Sequence, residues 1–139
     1  MIQSEVLIKV RNYHTDSHKH VNHARYLEFF EEGSWDFLEN NLQVRKMFES
    51  FIKKGIFHVV VKINCNYRSS AVIGDILRLE TQLVRSSARS YTWSKKIYKN
   101  DTDKLVVDAE ITCVFINSAS GDVVPISKKM SEVLSEQIE

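Results

Sequence analysis

The chain opens with a period-two pattern. Val6, Ile8 and Val10 fall on one side, and Leu7, Lys9 and Arg11 on the other, which predicts a strand. A polar stretch from Asn12 to Asn22 follows. The period then changes to that of a helix. From Ala24 to Asn41, Leu27, Phe30, Ser34, Phe37, Leu38 and Asn41 share a side, flanked by Tyr26, Gly33 and Trp35, as an amphipathic helix requires. Asn22 stands where an N-cap is wanted. Gly33 inside this helix costs about 1 kcal/mol relative to alanine, so a close approach by another backbone or strand is the expected compensation. Val44, Met47, Phe48 and Phe51 suggest a second short helix ending near Gly55.

Four further alternating runs read as strands: His58–Tyr67, Asp75–Arg85, Ser90–Tyr98 and Leu105–Asn117. In the first, Val59, Val61, Ile63, Cys65 and Tyr67 are expected on one face. In the last, Leu105, Val107, Ala109, Ile111, Cys113 and Phe115 are. Polar turns at 100–103 and 118–122 separate the later elements, and a charged helix is expected from Ser127 to Glu139. The connections between strands are short, which argues antiparallel neighbours. The result is an α+β chain in which a sheet of about five strands wraps a long helix.

Composition narrows the class. With 139 residues, one proline, four glycines and no linker-like segment, residues 1–139 read as a single domain. Hydrophobic residues make up 43% and charged residues 27%, which excludes a disordered or fibrous chain. The longest apolar runs are far short of the ~20 residues of a membrane span, and the acid at Glu5 argues against a secretory leader. Nineteen basic and eighteen acidic residues leave a net charge of +1, which gives no electrostatic case for nucleic acid or a membrane surface. Cys65 and Cys113 both lie in strand-like runs without a zinc-type spacing. They read as small buried hydrophobes in a reducing, cytoplasmic chain.

The chemistry is concentrated in one place. His14, His18, His20 and His23, four of the five histidines, crowd around Asp16 just before the long helix. A solvated loop, a metal site built from Asp16, His18, His20 and His23, and an acid–base centre are the three readings. The metal reading lacks an established ligand spacing. The third has a physical logic. Free N–H groups at a helix start polarise a carbonyl oxygen, and a carboxylate beside them can act on the carbonyl carbon or on water. Aspartate is a weak base, with a reference pKa of about 3.9. A good leaving group such as a thiolate is therefore favoured, and the natural substrate is a thioester.

The run from Tyr13 to Glu32 resembles the signature D-T-D-x-x-G-H-V-N-N-A-x-Y-L-x-x-F-E of the 4-hydroxybenzoyl-CoA thioesterase-like proteins, which have the hotdog fold. Thr15, Asp16, His20, Val21, Asn22, Ala24, Tyr26 and Leu27 match it. Downstream, Tyr67–Asp75 resembles the family's Y-x-x-P-A-x-x-G-D bend between its second and third strands. The chain departs from the pattern at His14, Lys19, His23 and Ser70. The resemblance implies a hotdog thioesterase acting on acyl-CoA or acyl carrier protein thioesters, without metal or organic cofactor. It makes Asp16 the catalytic carboxylate, as general base or nucleophile, and places His23 at the oxyanion site. His20, Asn22 and Tyr26 become candidate substrate contacts. Arg68, Arg85 and Arg89 are either contacts to CoA phosphates or a solvated basic surface. The resemblance further implies a homodimer or homotetramer in which His58–Tyr67 pairs with its twin, and in which Asp16 of one chain faces the helix start of the other. A non-catalytic hotdog protein that binds an acyl thioester, or serves as a partner subunit, is the alternative.

Overall fold

The computed structural model describes residues 4–138. Residues 1–3, and Glu139 at the end of the helix expected from Ser127, lie outside the described residues. Strand β1 (Ser4–Lys9) leads through a single 3-10 turn at Asn12–His14 to helix α1 (Arg25–Asn40) and helix α2 (Leu42–Lys53). Strands β2 (Ile56–Tyr67), β3 (Ile76–Ser86), β4 (Tyr91–Lys99) and β5 (Lys104–Asn117) follow, then a two-residue β6 (Val123–Val124) and helix α3 (Lys128–Ser135). The sheet is antiparallel in the order β1-β3-β4-β5-β2, with β6 added to β5. This is the wrapped α+β architecture expected from the sequence, with the two-residue β6 as the addition. No helix among the described residues is long and apolar enough to cross a membrane.

Alternation fixes the inner face. Leu77, Leu79, Thr81 and Leu83 of β3, Tyr91, Trp93, Lys95 and Ile97 of β4, and Val107, Ala109, Ile111, Cys113 and Phe115 of β5 are all buried. Helix α1 lays Tyr26, Phe29, Phe30, Gly33, Phe37 and Leu38 on that face. Its phase differs from the sequence reading: Leu27 and Trp35 are exposed, and Phe29 takes the inward place. The spacing of Phe29, Gly33 and Phe37 is equally helical. What selects it is Gly33, the residue that lets the helix come closest to the sheet. A Cβ at Gly33 would collide with Thr81 Oγ1 and lie 2.8 Å from Leu79 Cδ2.

Three bulges interrupt the expected alternation; one skips Val84, between the Leu83–Trp93 and Arg85–Thr92 pairs, and the other two change the faces of β2 and β5. Val61 is skipped between the Val60–Cys113 and Lys62–Thr112 pairs. Val60 therefore stands opposite an inward residue, as Ile63 and Cys65 do beyond the bulge. In β5, Val106 is the extra residue, with Ile97 opposite Val107 and Tyr98 opposite Leu105. Val106 is fully buried and Leu105 only half-buried, reversing the expectation for Leu105. Both cysteines are free thiols. Burial pushes the Cys113 thiol up to about 11.

Lys95 is the unexpected member of the core. It is fully buried, and its Nζ donates to the Phe30 carbonyl of α1 at 2.8 Å and to Ser34 Oγ at 2.5 Å, with Thr81 Oγ1 at 3.4 Å. The Trp93 ring lies 5.0 Å away. Desolvation lowers the lysine to about 7, opposed by the charge of Glu31. The neutral amine has two N–H donors and one lone pair, and a hydroxyl of Ser34 or Thr81 can fill the third direction.

Two predictions follow from this crossing. Gly33→Ala is expected to destabilise the fold by about 1–3 kcal/mol, the cost of overpacking, despite alanine's better helix propensity. Denaturant unfolding checks it, and an unchanged midpoint would contradict the close approach. The second concerns pH. Between about 7 and 10.5 the unfolded lysine holds a proton that the folded one releases, so this residue makes stability rise with pH across that window. The stability of wild type minus that of Lys95→Met is expected to rise between pH 6 and 8.5. A flat difference would mean that Lys95 keeps its proton in the fold.

Candidate functional site

The polar loop before α1 is a small hairpin closed by backbone bonds. Thr15 bridges Val21, the Asp16 N–H donates to the His20 carbonyl at 2.9 Å, and the Lys19 N–H to the Asp16 carbonyl at 3.0 Å. Lys19, at the place of the signature's glycine, has φ of 63°. The left-handed turn is thus kept with an L-residue in it, at a cost of about 1 kcal/mol. Asp16 Oδ1 accepts from the His18 N–H at 2.9 Å, and this leaves Oδ2 without a partner among the described residues. The carboxylate is exposed.

The bend at 67–75 lies alongside this hairpin. The Val21 N–H donates to the Ala71 carbonyl at 2.9 Å, and His20 bridges Val72. The bend is itself anchored: the N–H groups of Arg68 and Ser69 both donate to the carbonyl of the bulged Val106, and Ser69 Oγ donates to Leu105 O. The two sequence motifs, some fifty residues apart, are therefore neighbours joined through the main chain. Ser70, where the pattern has proline, sits in a segment that these bonds already hold.

Helix α1 starts at Arg25, with Ala24 at its boundary. Asn22 lies one turn ahead. Its Oδ1 accepts the Ala24 N–H at 2.9 Å and its carbonyl accepts the Arg25 N–H. Asn22 thus does the work of an N-cap over a tight lead-in turn, and its side chain is occupied by the backbone. The His23 N–H has no acceptor among the described residues, while its carbonyl accepts from Tyr67 Oη at 3.0 Å. The Tyr67 hydroxyl pins the helix entrance from the sheet side.

These elements enclose an open cleft of about 350 Å³ lined by Asp16, His20, His23 and Tyr26, and by Tyr67, Arg68, Ser69 and Ser70. Four of the five candidate residues meet there in one chain, and Asn22 stands behind the wall as the cap. Tyr26 is buried, and desolvation with the nearby Tyr67 pushes its phenol up to about 12, so it offers a neutral hydroxyl. Tyr67 and Ser69 were within a motif the sequence marked but were not singled out as site residues. Their signal was their position in the bend, one of them on a strand's last residue.

The remaining candidates separate cleanly. His14 Nδ1 accepts the Arg11 N–H at 2.9 Å, and its ring packs edge-on to Phe29. Desolvation, then the charge of Arg25, lowers its pKa. It is a structural base to the loop. Of the three arginines, only Arg68 borders the cleft, and its Nε is 2.8 Å from Asp108. That pairing lowers the Asp108 carboxyl. Arg85 makes a two-pronged pair with Glu110 on the sheet. Among the described residues no three His, Cys, Asp or Glu side chains converge as a metal cage.

Comparison with known proteins agrees with this geometry. A family model described as the thioesterase-like superfamily matches residues 10–134. The chain is 39% identical over 131 residues to the long-chain acyl-CoA thioesterase FadM of Escherichia coli, covering 94% of this chain and 96% of that one. The crystal structure of the Escherichia coli probable thioesterase YbaW superposes with a TM-score of 0.86 at 38% identity, over 98% of this chain and 99% of that one. A 1,4-dihydroxy-2-naphthoyl-CoA thioesterase from Synechocystis shares the fold alone, with a TM-score of 0.77 at 15% identity over 96% of each chain. The wrapped helix, the paired motifs and these likenesses together establish that the chain belongs to the thioesterase-like superfamily, as a hotdog-fold thioester hydrolase.

Proposed function

We propose that this single hotdog domain, spanning residues 1–139, hydrolyses long-chain acyl-CoA thioesters to the free acid and CoA in the cytoplasm. The observation that carries the reading is the shared cleft: an exposed carboxylate with one free oxygen on one side, and an unpaired N–H at a helix entrance on the other. The likeness to a long-chain acyl-CoA thioesterase over nearly the whole chain supports coenzyme A over carrier protein as the thiol.

In this reading the thioester carbonyl oxygen lies against the His23 N–H, where charge develops as the carbonyl carbon becomes tetrahedral. Asp16 Oδ2 takes a proton from water as the hydroxide oxygen bonds to that carbon. Collapse of the adduct breaks the carbon–sulfur bond and expels the thiolate, which recovers the proton from Asp16. Attack by the carboxylate itself, forming a mixed anhydride that water then opens, uses the same atoms. The Oδ1 bond from the His18 N–H fixes the carboxylate's orientation in either path. His20 and Tyr26 wall the cleft around the substrate, and Asn22 holds the N–H groups in place. Arg68, which borders the cleft, is the candidate cation for a CoA phosphate.

The working unit is a homodimer or a tetramer built from it. Strand β2 is twelve residues long and forms a sheet edge. It exposes Phe57, Val60, Val61, Ile63 and Tyr67. A long apolar edge is a pairing surface that proteins cover, and two-fold pairing of β2 with its twin covers it. Tyr67 lies both on this edge and in the cleft, so a second chain there walls the site.

Asp16→Asn is expected to lower kcat on long-chain acyl-CoA by about a hundredfold or more, with the fold unchanged, because the amide oxygen keeps the His18 bond while losing charge and basicity. Thiol release read with a chromogenic disulfide checks this, and wild-type rates would remove Asp16 from the mechanism. Wild type that binds acyl-CoA but turns over no thioester would favour the binding-protein alternative. Light scattering is expected to give a dimer or larger, and Val61→Arg with Ile63→Glu to give monomers with most turnover lost. A fully active monomer would overturn the paired unit.

A further inference from the structure

A second concave site lies between α2 and α3, with no residue in common with the Asp16 cleft. Residues 43, 46, 47, 50, 51 and 54 of α2 and its end follow helical spacing along one face, a stripe beside the one that buries Val44 and Phe48 in the core. Across from it stand Lys129, Met130 and Val133 of α3. The groove holds about 430 Å³, within the range of about 300–1,000 Å³ of small-ligand pockets.

Its chemistry is two-sided. The floor is made by Met47, Phe51, Met130 and Val133, all buried or half-buried. The rim carries Lys46, Lys54 and Lys129, all exposed, and no acidic side chain lines the groove. Among the described residues none of these three lysines has a carboxylate partner. The acid nearest in sequence on α2, Glu49, lies off this face and is paired with Arg45 at 3.6 Å. Three unpaired ammonium groups around an apolar, methionine-bearing floor match a ligand with one anionic head and one apolar tail. Methionine's flexible, polarisable side chain adapts to such a tail. Helix α3 has eight residues, about 12 Å of axis. That is short for seating a partner helix and comparable to the extended length of a medium acyl chain.

We propose that the α2–α3 groove binds a fatty-acid anion, with the carboxylate on its lysine-bearing rim and the chain over the two methionines. The ligand is of the class that the proposed hydrolysis releases, but the site stands on its own residues.

The chain contains three methionines, Met1, Met47 and Met130, so two of the three methionine methyls report on the groove. Full-length protein labelled with methyl-13C methionine, titrated with dodecanoate below its micelle concentration, is expected to shift the Met47 and Met130 resonances saturably. Each methylene removed from the chain is expected to weaken binding about three- to fourfold. Lys46→Glu with Lys129→Glu is expected to weaken it at least tenfold, while kcat and KM for acyl-CoA stay unchanged. Unmoved methyls would overturn the proposal. So would equal shifts with dodecyltrimethylammonium, or undiminished affinity in the charge-reversed variant. Shifts produced by an acidic helical peptide or anionic vesicles but not by dodecanoate would assign the groove to a macromolecular partner and equally overturn it. Because the readout is binding, it stands or falls separately from turnover at Asp16.

Discussion

Everything in this molecule hangs on the crossing of α1 over the sheet at Gly33. The absence of a Cβ lets the helix backbone press against Thr81 and Leu79, and Lys95 reaches up from the sheet to bond the helix at the same level. Below the crossing, Phe37 stacks edge-on to Trp93 at 4.9 Å. Above it, Tyr26 and Phe29 fill the sheet's other end. A helix fixed at its middle in this way has a fixed start, and the start is what the proposed chemistry needs. The remaining freedom at the entrance is removed by the Tyr67 hydroxyl on the His23 carbonyl and by the Asn22 cap.

A buried lysine is an expensive way to fasten a helix, since desolvation disfavours its charge. Two features reduce the cost. The depressed pKa lets the group become neutral near pH 7, and the acceptors around it are a carbonyl and two hydroxyls, which suit an amine as well as an ammonium. An apolar residue in its place would fill the volume but could not bond the Phe30 carbonyl or order the Ser34 and Thr81 hydroxyls. The bond therefore reinforces the helix position that Gly33 selects, with Phe29 inward and Leu27 outward.

Much of this could be read from the sequence, and the failures have definite causes. The period-two runs placed all the long strands, the period of 3.6 placed the long helix and suggested the shorter one after it, and Gly33 was recognisable as a point of close approach. The bulges were not visible, because alternation is read on the assumption of an unbroken ladder. One extra residue, Val61 or Val106, reverses the face of everything on one side of it. The two-residue β6 is too short to show a period at all. Lys95 fell on the inward face of its strand by pattern, yet nothing in the pattern says that a lysine there has acceptors waiting on a helix sixty residues away. In the site, the clustering of Asp16 with the histidines and the matched motifs were legible. The role of Tyr67, which depends on a hydrogen bond across 44 positions, was not.

The histidine cluster drew attention as a set of imidazoles, but the structure uses these residues mainly through their backbones. His18 lends an N–H to Asp16, His20 lends its carbonyl to the hairpin and its strand edge to Val72, and His23 has a carbonyl tied to Tyr67 and a free N–H at the helix entrance. Only His14 has its ring nitrogen engaged by the loop, and there it accepts the Arg11 N–H. A site organised by main-chain bonds tolerates side-chain change as long as each φ and ψ is kept. That accounts for the departures from the signature. Lys19 holds the left-handed angle where glycine is usual, Ser70 stands where proline is usual just after Arg68 and Ser69, which bonds to β5 tie down, and His23 stands where asparagine is usual with its N–H free. In the proposed mechanism the carboxylate is the exception, because neither its charge nor its basicity can be supplied by any main-chain group.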